Sequence, residues 1–257
     1  MNSRVLVIIP AYNEAEAIAQ VVQSLKDQVP GYSILVVNDG SADATERVVR
    51  RFHGVEVINL PYNMGIGSAM QTGFKYAQQE GFDIAVQCDG DGQHPVHQIA
   101  KLVDRVQRGD ADMVIGSRYV TDTDYVPSFS RRVGKSLLSR IVNSVVGGGI
   151  TDTTSGFRAA NRAVIETFAR TYPDDYPEAE ALVIMHKHGL KAVEIPVDML
   201  PRQGGRSSIG RGRAAYYIVK VSLAIFIGVF KKITHAPGEW AEEPEIVGAP
   251  ALHEETK

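Results

Sequence analysis

The 257-residue sequence contains one cysteine and one tryptophan, and aromatic residues make up only 7% of the chain. A single thiol excludes a disulfide framework. Cys88 lies in an apolar run, so we expect it to pack in the core of a protein from a reducing compartment. The first residues lead straight into a run of strand length, and we expect no signal peptide there.

Long hydrophobic runs are also missing. The apolar stretch 216–230 is interrupted by Lys220, Ser222 and Gly228, whereas a membrane-spanning helix needs roughly 20 apolar residues. Because basic residues flank it, this stretch suits a helix that lies in the membrane interface. A helix packed on the domain or buried in a dimer is the alternative.

The net charge of −3 hides a gradient along the chain. Residues 236–257 contain six glutamates and one lysine, whereas residues 187–232 carry a net charge of +7. The basic segment implies an anionic partner, such as phosphate, a membrane surface or nucleic acid. No aromatic-interleaved surface of the kind that binds nucleic acid accompanies it.

Strand-like and helix-like segments alternate along the chain. Continuous apolar runs are typical of strands buried on both faces of a parallel sheet, and apolar residues three or four apart are typical of amphipathic helices. The predicted strands are 4–9, 33–37, 55–60, 83–88, 112–115 and 192–197, and the predicted helices are 14–28, 45–52, 67–79, 99–106, 131–146 and 177–187. The order indicates an α/β fold with a mostly parallel sheet and helices on both faces. Segments 122–130 and 151–158 are predicted loops, the first of them mobile.

Residues 84–95, IAVQCDGDGQHP, carry the chemistry around which the rest is organised. Asp89 and Asp91 follow an apolar strand and are one glycine apart. Mg²⁺ and Mn²⁺ take oxygen ligands and share them with substrate phosphates, and open α/β sheets bind ligands at the carboxyl ends of strands. The pattern therefore favours a dication and diphosphate site over a simple Asp-Gly turn. His94 and His97 are predicted to cap the following helix.

Two further loops should reach the same crevice because they also follow strands. Glu14 ends the loop after the first strand, where helix capping and the helix dipole offer a structural explanation. Asp39 follows the second strand, and its carboxylate either accepts hydrogen bonds from a base or ribose or forms only a turn. Gly65 and Gly67 lack the complete dinucleotide pattern and the P-loop lysine, so we predict a structural role for them.

Together the motifs resemble glycosyltransferase family 2, and within it the dolichyl-phosphate mannose synthases and bacterial polyprenyl-phosphate glycosyltransferases. The resemblance extends over roughly residues 4–230. The motifs are PAYNE (10–14), VVNDGS (36–41), NMGIGSAMQTG (63–73), DGDGQHP (89–95), GSRY (116–119), TDTTSGFR (151–158), EAEALV (178–183) and EIPVDMLPRQGGRSS (194–208). The resemblance implies a Rossmann-like GT-A fold, a GDP- or UDP-hexose donor, Mg²⁺ or Mn²⁺ as cofactor, and inversion at the anomeric carbon.

The resemblance also implies roles for individual residues. The residues expected to hold the nucleotide are Pro10, Ala11, Tyr12, Glu14, Asp39 and Asp89. The residues at the metal positions are Asp89, Asp91 and Gln93. The expected catalytic residues are Asp91, Asp152 and three phosphate-gathering arginines, Arg118, Arg131 and Arg202. Two positions depart from the family: Asn38 replaces a frequent aspartate and leaves the base preference open, and Gly90 replaces a common alanine and should only loosen the loop.

The nature of the acceptor decides what chemistry is needed. A phosphate monoester is anionic near neutral pH and needs no strong base, but its repulsion from the donor must be offset by cations such as these arginines and Arg206. A glycan hydroxyl would need a carboxylate base; Asp152 is the candidate, although it could equally orient the metal or cap a helix. Glu178 and Glu180 stay open between catalytic and supporting roles.

The predicted function is transfer of a hexose, mannose or glucose, to polyprenyl phosphate. The alternatives are transfer to a glycan hydroxyl, a nucleotidyltransferase, and a non-catalytic nucleotide-binding module. We expect a glycosyltransferase domain at 1–213, an amphipathic interfacial or dimer helix at 214–235 and a disordered acidic tail at 236–257. Many relatives have transmembrane helices in this region, whereas the apolar stretch here is too short to span. We therefore expect a cytoplasmic protein, peripheral to the inner membrane face, with a membrane-protein partner or a homodimer and no nucleic acid.

Overall fold

The computed structural model describes residues 3–119, 129–174, 177–200, 220, 223 and 225–227, with residues 129–137 described as backbone only. The strands of the described part are β1 (Val5–Ala11), β2 (Ser33–Asn38), β3 (Val55–Asn59), β4 (Ile84–Gln87), β5 (Met113–Ser117), β6 (Arg158–Asn161) and β7 (Ala192–Pro196). They form one sheet in the order β3-β2-β1-β4-β6-β5-β7. Neighbouring strands are parallel except where β6 pairs with β4 and β5. The sheet is therefore mostly parallel, as predicted.

Helices lie on both faces of this sheet. They are α1 (Ile18–Gln28), α2 (Thr45–Val49), α3 (Ile66–Gln79), α4 (Ile99–Gln107), α5 (Phe129–Val146), α6 (Arg162–Arg170) and α7 (Pro177–Lys187), with a 3₁₀ turn (Val96–Gln98) directly before α4. Alternate residues of β1 enter two separate cores: Leu6 and Ile8 pack with α3, α6 and α7, and Val5, Val7 and Ile9 pack with α1 and α4. This two-sided burial explains why the central strands read as continuous apolar runs.

Two elements were not predicted, β6 and α6. The sequence Arg-Ala-Ala-Asn of β6 has no β-branched residue, so it carries little local strand signal. The strand forms because β4 and β5 supply backbone partners on both of its sides. Asn161 then ends the strand and caps α6 through its side chain, which accepts the Val164 N–H. Arg158, expected in a loop, is thus the first residue of a central strand.

The other differences are at element ends. α1 begins at Ile18, one turn later than predicted, and residues 129 and 130 belong to α5 instead of the preceding loop. Cys88 is buried, as predicted, and its burial raises the pKa of the thiol. Residues 120–128, 201–213 and 236–257 lie outside the described residues, so the predicted loop, tail and domain limits stay predictions.

A few residues of the predicted 214–235 helix are described, and they are helical. Ile225 is buried in the core, whereas Leu223, Phe226 and Ile227 have exposed fractions of 56%, 61% and 57%. Residues three and four apart lie on the same side of a helix, so the exposed three form one apolar face. Within the described residues, no helix combines the length and hydrophobicity needed to cross a membrane.

The strand order creates a crevice. The chain runs outward from β1 through β2 to β3, and then returns to the other side of β1 as β4. Loops that leave the carboxyl ends of β1 and β4 therefore diverge at a topological switch point, which is where open α/β sheets bind their ligands.

Candidate active site

Hydrogen bonds donated by backbone N–H groups join the loop after β1 to the loop after β2 and to the start of α2. The Asp39 N–H donates to the Ala11 carbonyl at 2.8 Å. The Asn13 N–H donates to Ser41 Oγ and the Glu14 N–H to Thr45 Oγ1, both at 2.9 Å. The structure thus brings together the residues predicted to hold a nucleoside, and Tyr12 stands 46% exposed at their edge.

Asp39 is 4% exposed, and its carboxylate supports the segment that leads into α3. Its oxygens accept the N–H groups of Met64 and Gly65 at 2.7 and 2.9 Å. Gly67 packs against backbone oxygens of Pro173 and Asp174, leaving no room for a Cβ. Gly65 has a φ of 93°, a backbone conformation that favours glycine, so both glycines have the structural role predicted for them. Each Asp39 oxygen keeps a second lone pair for another donor.

Asn38 takes part in a local network. Its amide donates to Asn59 Oδ1 at 2.8 Å, and its own Oδ1 accepts the Ser41 N–H at 3.2 Å. An aspartate could not make the first of these bonds because an ionised carboxylate only accepts. Asn38, which replaces the common family aspartate, thus donates a hydrogen bond to Asn59 that an aspartate could not donate.

The Asp-Gly-Asp-Gly loop leaves β4 and lies against the end of β1. A Cβ added to Gly90 would be 3.5 Å from the Pro10 carbonyl oxygen and 3.2 Å from Ile18 Cδ1. Asp91 is 5% exposed and accepts the Gln93 N–H at 3.0 Å. The loop predicted to bind the metal, after β4, and the loop predicted to bind the nucleoside, after β1, are thus direct neighbours at the switch point.

The donor set at this loop fits Mg²⁺ or Mn²⁺. Asp89 and Asp91 offer carboxylates, the first of them with a 31% exposed side chain, and Gln93 offers an amide. Among the residues that the structure describes, no group of three or more His, Cys, Asp or Glu side chains forms a closed metal cage. A site built from one or two carboxylates, completed by water and substrate phosphates, is the usual arrangement for Mg²⁺.

The capping role predicted for His94 and His97 is wrong. In the described structure the N-caps of the 3₁₀ turn and of α4 are Pro95 and Gln98, and neither makes a side-chain cap bond. His97 is exposed and contacts the Gln98 amide. His94 is buried and instead accepts the backbone N–H of Asp89 at 2.9 Å.

The antiparallel strand β6 brings the TDTTSGFR segment next to the carboxylates. A Cβ on Gly156 would lie 2.8 Å from Gln87 Nε2 and 3.4 Å from Asp89 Oδ2. The absence of a side chain at this position therefore keeps the space against the Asp89 carboxylate clear. This contact depends on the pairing of Gln87 with Arg158 across β4 and β6.

Arg118, which directly follows β5, forms an ion pair with Asp152 of the TDTTSGFR segment. Arg118 Nε and Nη2 donate to the two Asp152 oxygens at 2.8 and 2.9 Å, and the Arg118 N–H adds a third bond at 3.2 Å. The Asp152 side chain is fully buried and that of Arg118 is 28% exposed. Such a bidentate pair is strong and directional, so it fixes both side chains relative to β5.

Glu194 holds this loop from the neighbouring strand. Its carboxylate accepts the Thr151 and Asp152 N–H groups at 2.7 and 2.6 Å and the Thr151 hydroxyl at 2.9 Å. No local sequence pattern indicates this role, because the contact requires β7 to pair beside β5. Glu194 therefore supports the Arg118–Asp152 pair through the backbone.

Glu178, in the first turn of α7, is close enough to Asp89 for the two charges to interact. Burial raises the pKa of its carboxyl group, the Arg158 guanidinium partly offsets this effect, and the negative charge of Asp89 adds to it. Arg158 is 4% exposed and donates to the carbonyls of Ser155 and Glu178 at 2.7 and 2.8 Å. Arg158 thus ties the TDTTSGFR segment to the start of α7, a role that was not predicted.

The side chains of three of the four predicted arginines are not described. Arg202 lies outside the described residues, as does Arg206, and for Arg131 only the backbone within α5 is described. Leu200, the last described residue before this gap, lies beside the loop that carries Asp89 and Asp91, because its N–H donates to the Gln93 carbonyl at 2.9 Å. The gathering of arginines around a phosphate stays a prediction.

Comparison with known proteins gives one consistent family. A family-level sequence profile, glycosyl transferase family 2, matches residues 6–168. The polyprenol monophosphomannose synthase of Mycolicibacterium smegmatis is 32% identical over 86% of this chain and 86% of that protein. The undecaprenyl-phosphate mannosyltransferase of Micrococcus luteus is 32% identical over 85% of this chain and 93% of that protein.

Solved structures agree on the fold. Glucosyl-3-phosphoglycerate synthase of Mycobacterium tuberculosis, crystallised with Mn²⁺, UDP-glucose and phosphoglyceric acid, superposes with a TM-score of 0.67. The match covers 87% of this chain and 80% of that one, at 20% sequence identity. The likeness at this identity concerns the arrangement of strands and helices.

Proposed function

This chain belongs to glycosyltransferase family 2, and we propose that this glycosyltransferase moves a hexose, mannose or glucose, from a nucleotide-diphosphate sugar to a polyprenyl phosphate. The observation that carries the proposal is the position of Asp89 and Asp91. They follow β4 at the switch point beside β1, next to the loops predicted to hold the nucleoside. This is where a diphosphate between base and sugar would lie.

Different residues of the crevice bind the nucleoside and the diphosphate of the donor. The 10–14 loop and Asp39 hold the nucleoside, and Asp89, Asp91 and Gln93 hold a dication together with the donor diphosphate. When bound, Mg²⁺ or Mn²⁺ supplies a Lewis acid that stabilises the departing nucleoside diphosphate. The Mn²⁺ and UDP-glucose in the structure of the mycobacterial synthase support this assignment of donor and metal.

Two observations favour a phosphate over a hydroxyl as acceptor. The relatives from Mycolicibacterium and Micrococcus are named for transfer to polyprenol and undecaprenyl phosphate. In addition, both oxygens of Asp152 already accept hydrogen bonds from Arg118, so this buried carboxylate is ill placed to take a proton from a sugar hydroxyl. A phosphate acceptor needs no such base. It needs cations that hold it in line with the anomeric carbon.

The acceptor is tested with the full chain, Mn²⁺, a short polyprenyl phosphate and either GDP-mannose or UDP-glucose labelled in the sugar. We expect label in the lipid extract with one of the donors and release of a nucleoside diphosphate. The unphosphorylated polyprenol is the matched control and should stay unlabelled. Label found only on glycan or protein hydroxyls would refute the acceptor, and release of pyrophosphate would indicate a nucleotidyltransferase.

We also propose peripheral contact with the membrane through the face formed by Leu223, Phe226 and Ile227. Their exposed fractions all exceed one half, and the neighbouring segment is basic. Replacing all three with serine should weaken binding to anionic vesicles by about tenfold or more, because each apolar side chain buried in the bilayer contributes favourably. Vesicle co-sedimentation measures this.

Tyr62, an exposed aromatic residue of the loop after β3, provides the control when it is replaced by serine. Unchanged vesicle binding by the triple variant would rule out the membrane contact. Loss of a dimer in the triple variant, measured by light scattering, would indicate that the face binds a second copy of the chain.

A further inference from the structure

His94 contacts both the backbone and the side chain of one predicted metal ligand. Its Nδ1 accepts the Asp89 N–H at 2.9 Å, and its Nε2 lies 3.5 Å from Asp89 Oδ2. The ring packs against Phe157 with 5.0 Å between centroids, and its side chain is 6% exposed. The imidazole is therefore fixed beneath the loop that carries Asp89 and Asp91.

The geometry determines which ring nitrogen carries the proton. A backbone N–H can only donate, so Nδ1 must be unprotonated, and a neutral imidazole then carries its hydrogen on Nε2. Nε2 is 3.5 Å from Asp89 Oδ2, an electrostatic contact without hydrogen-bond geometry, while Gln87 Nε2 donates to Oδ1 at 3.3 Å. Each oxygen of the Asp89 carboxylate thus has an N–H group nearby.

We propose that His94 is a positioning residue for the dication and diphosphate site, an inference that rests on the metal role proposed for Asp89. Through Nδ1 it fixes the backbone at the start of the Asp-Gly-Asp-Gly loop, and through Nε2–H it orients the carboxylate. Hydrogen-bonded partners behind a metal ligand typically account for roughly 10–100-fold in metal affinity. His94 would act on the metal through Asp89 without touching it.

A packing role alone does not explain a histidine at this position. Its surroundings include Phe157, and a buried polar ring is costly unless its nitrogens are hydrogen-bonded. Phenylalanine would fill a similar volume without that cost. His94 also lines a groove of about 350 Å³ between α1 and residues 92–97.

Three substitutions separate the two contacts. In His94→Asn, the amide oxygen can replace Nδ1 as acceptor for the Asp89 N–H, but the Nε2 contact is lost. In His94→Gln, the longer amide can reach the carboxylate, but the Nδ1 acceptor is lost. His94→Phe keeps the size of the ring and removes both. His97→Asn is the matched control, because His97 is exposed and does not contact Asp89.

Binding of Mn²⁺ in the presence of UDP or GDP is followed by electron paramagnetic resonance, which needs no turnover. We expect roughly 10–100-fold weaker Mn²⁺ binding for His94→Phe, smaller losses for His94→Asn and His94→Gln, and no change for His97→Asn. In the transfer assay, the Mn²⁺ concentration for half-maximal rate should rise while the KM for the polyprenyl phosphate stays constant.

The possible results separate this inference from the function on which it rests. If the wild type binds no Mn²⁺ with either nucleotide, the proposed function fails. If the wild type binds and His94→Phe binds equally well, the positioning role is refuted. Loss of the cooperative thermal transition in all three His94 variants would make the residue purely structural and would also refute it.

Discussion

Asp91→Asn is expected to abolish Mn²⁺-dependent nucleotide binding and to lower kcat/KM by about 10³-fold, which corresponds to about 4 kcal/mol. The substitution keeps the size of the side chain but removes a negative charge, and a divalent cation that stabilises a leaving diphosphate is worth several kcal/mol. Asp91 is 5% exposed and accepts the Gln93 N–H, a bond that the asparagine oxygen can keep. The fold should therefore persist.

Calorimetric titration of UDP and GDP with and without Mn²⁺ measures the binding, and the transfer assay measures kcat/KM. The control is Asp110→Asn, which removes a 40% exposed carboxylate paired with Arg105 on the surface and should change neither quantity. A folded Asp91→Asn enzyme with wild-type, metal-dependent nucleotide affinity would contradict the assignment of the whole site.

The parts of the fold that could be predicted depend on local patterns. β1, β2 and β4 are buried on both faces, so their apolar runs stand out against the amphipathic helices between them. Their parallel order places the following loops at one edge without any knowledge of side-chain contacts. For that reason Asp39, Asp89 and Asp91 could be assigned to one crevice from the sequence.

The remaining part of the site depends on pairing between distant segments. β6 is short, carries two alanines and is a strand only because it lies between β4 and β5. Its insertion brings Gly156 to Asp89 and makes the Arg118–Asp152 and Glu194 contacts possible. Local periodicity contains no information on such contacts, so the sequence alone does not decide the role of Asp152.

The same distinction explains the error at His94. A polar side chain shortly before a helix can accept hydrogen bonds from the free N–H groups of the first turn, and the sequence offers no reason to prefer another partner. The hydrogen bond that forms joins residues five positions apart across a glycine turn, in which Gly92 has a φ of 77°. That left-handed residue folds the chain back on itself, so the imidazole meets the start of the loop instead of the helix.

Arg118→Met is expected to lower the free energy of unfolding by about 3–5 kcal/mol, because it leaves the Asp152 carboxylate buried without its guanidinium. Asp152 is fully buried, whereas the Arg118 side chain is 28% exposed. In Asp152→Asn the arginine can turn toward water, so we expect a smaller loss of roughly 1–3 kcal/mol. Combining both substitutions should cost less than their sum. Urea unfolding of the four proteins measures these differences.

Arg108→Met provides the control, because it breaks an Arg–Asp pair of similar length, 2.8 Å, whose side chains are 65% and 50% exposed. Its cost should stay within about 1 kcal/mol.

The activity of the variants then shows whether Arg118 only supports the loop or also binds a substrate phosphate. If Arg118 also holds a substrate phosphate, Asp152→Asn should keep most of its turnover while a folded Arg118→Met enzyme loses it. Equal activity losses in the two variants would instead mean that the pair serves the site only by fixing the loop between β5 and β6.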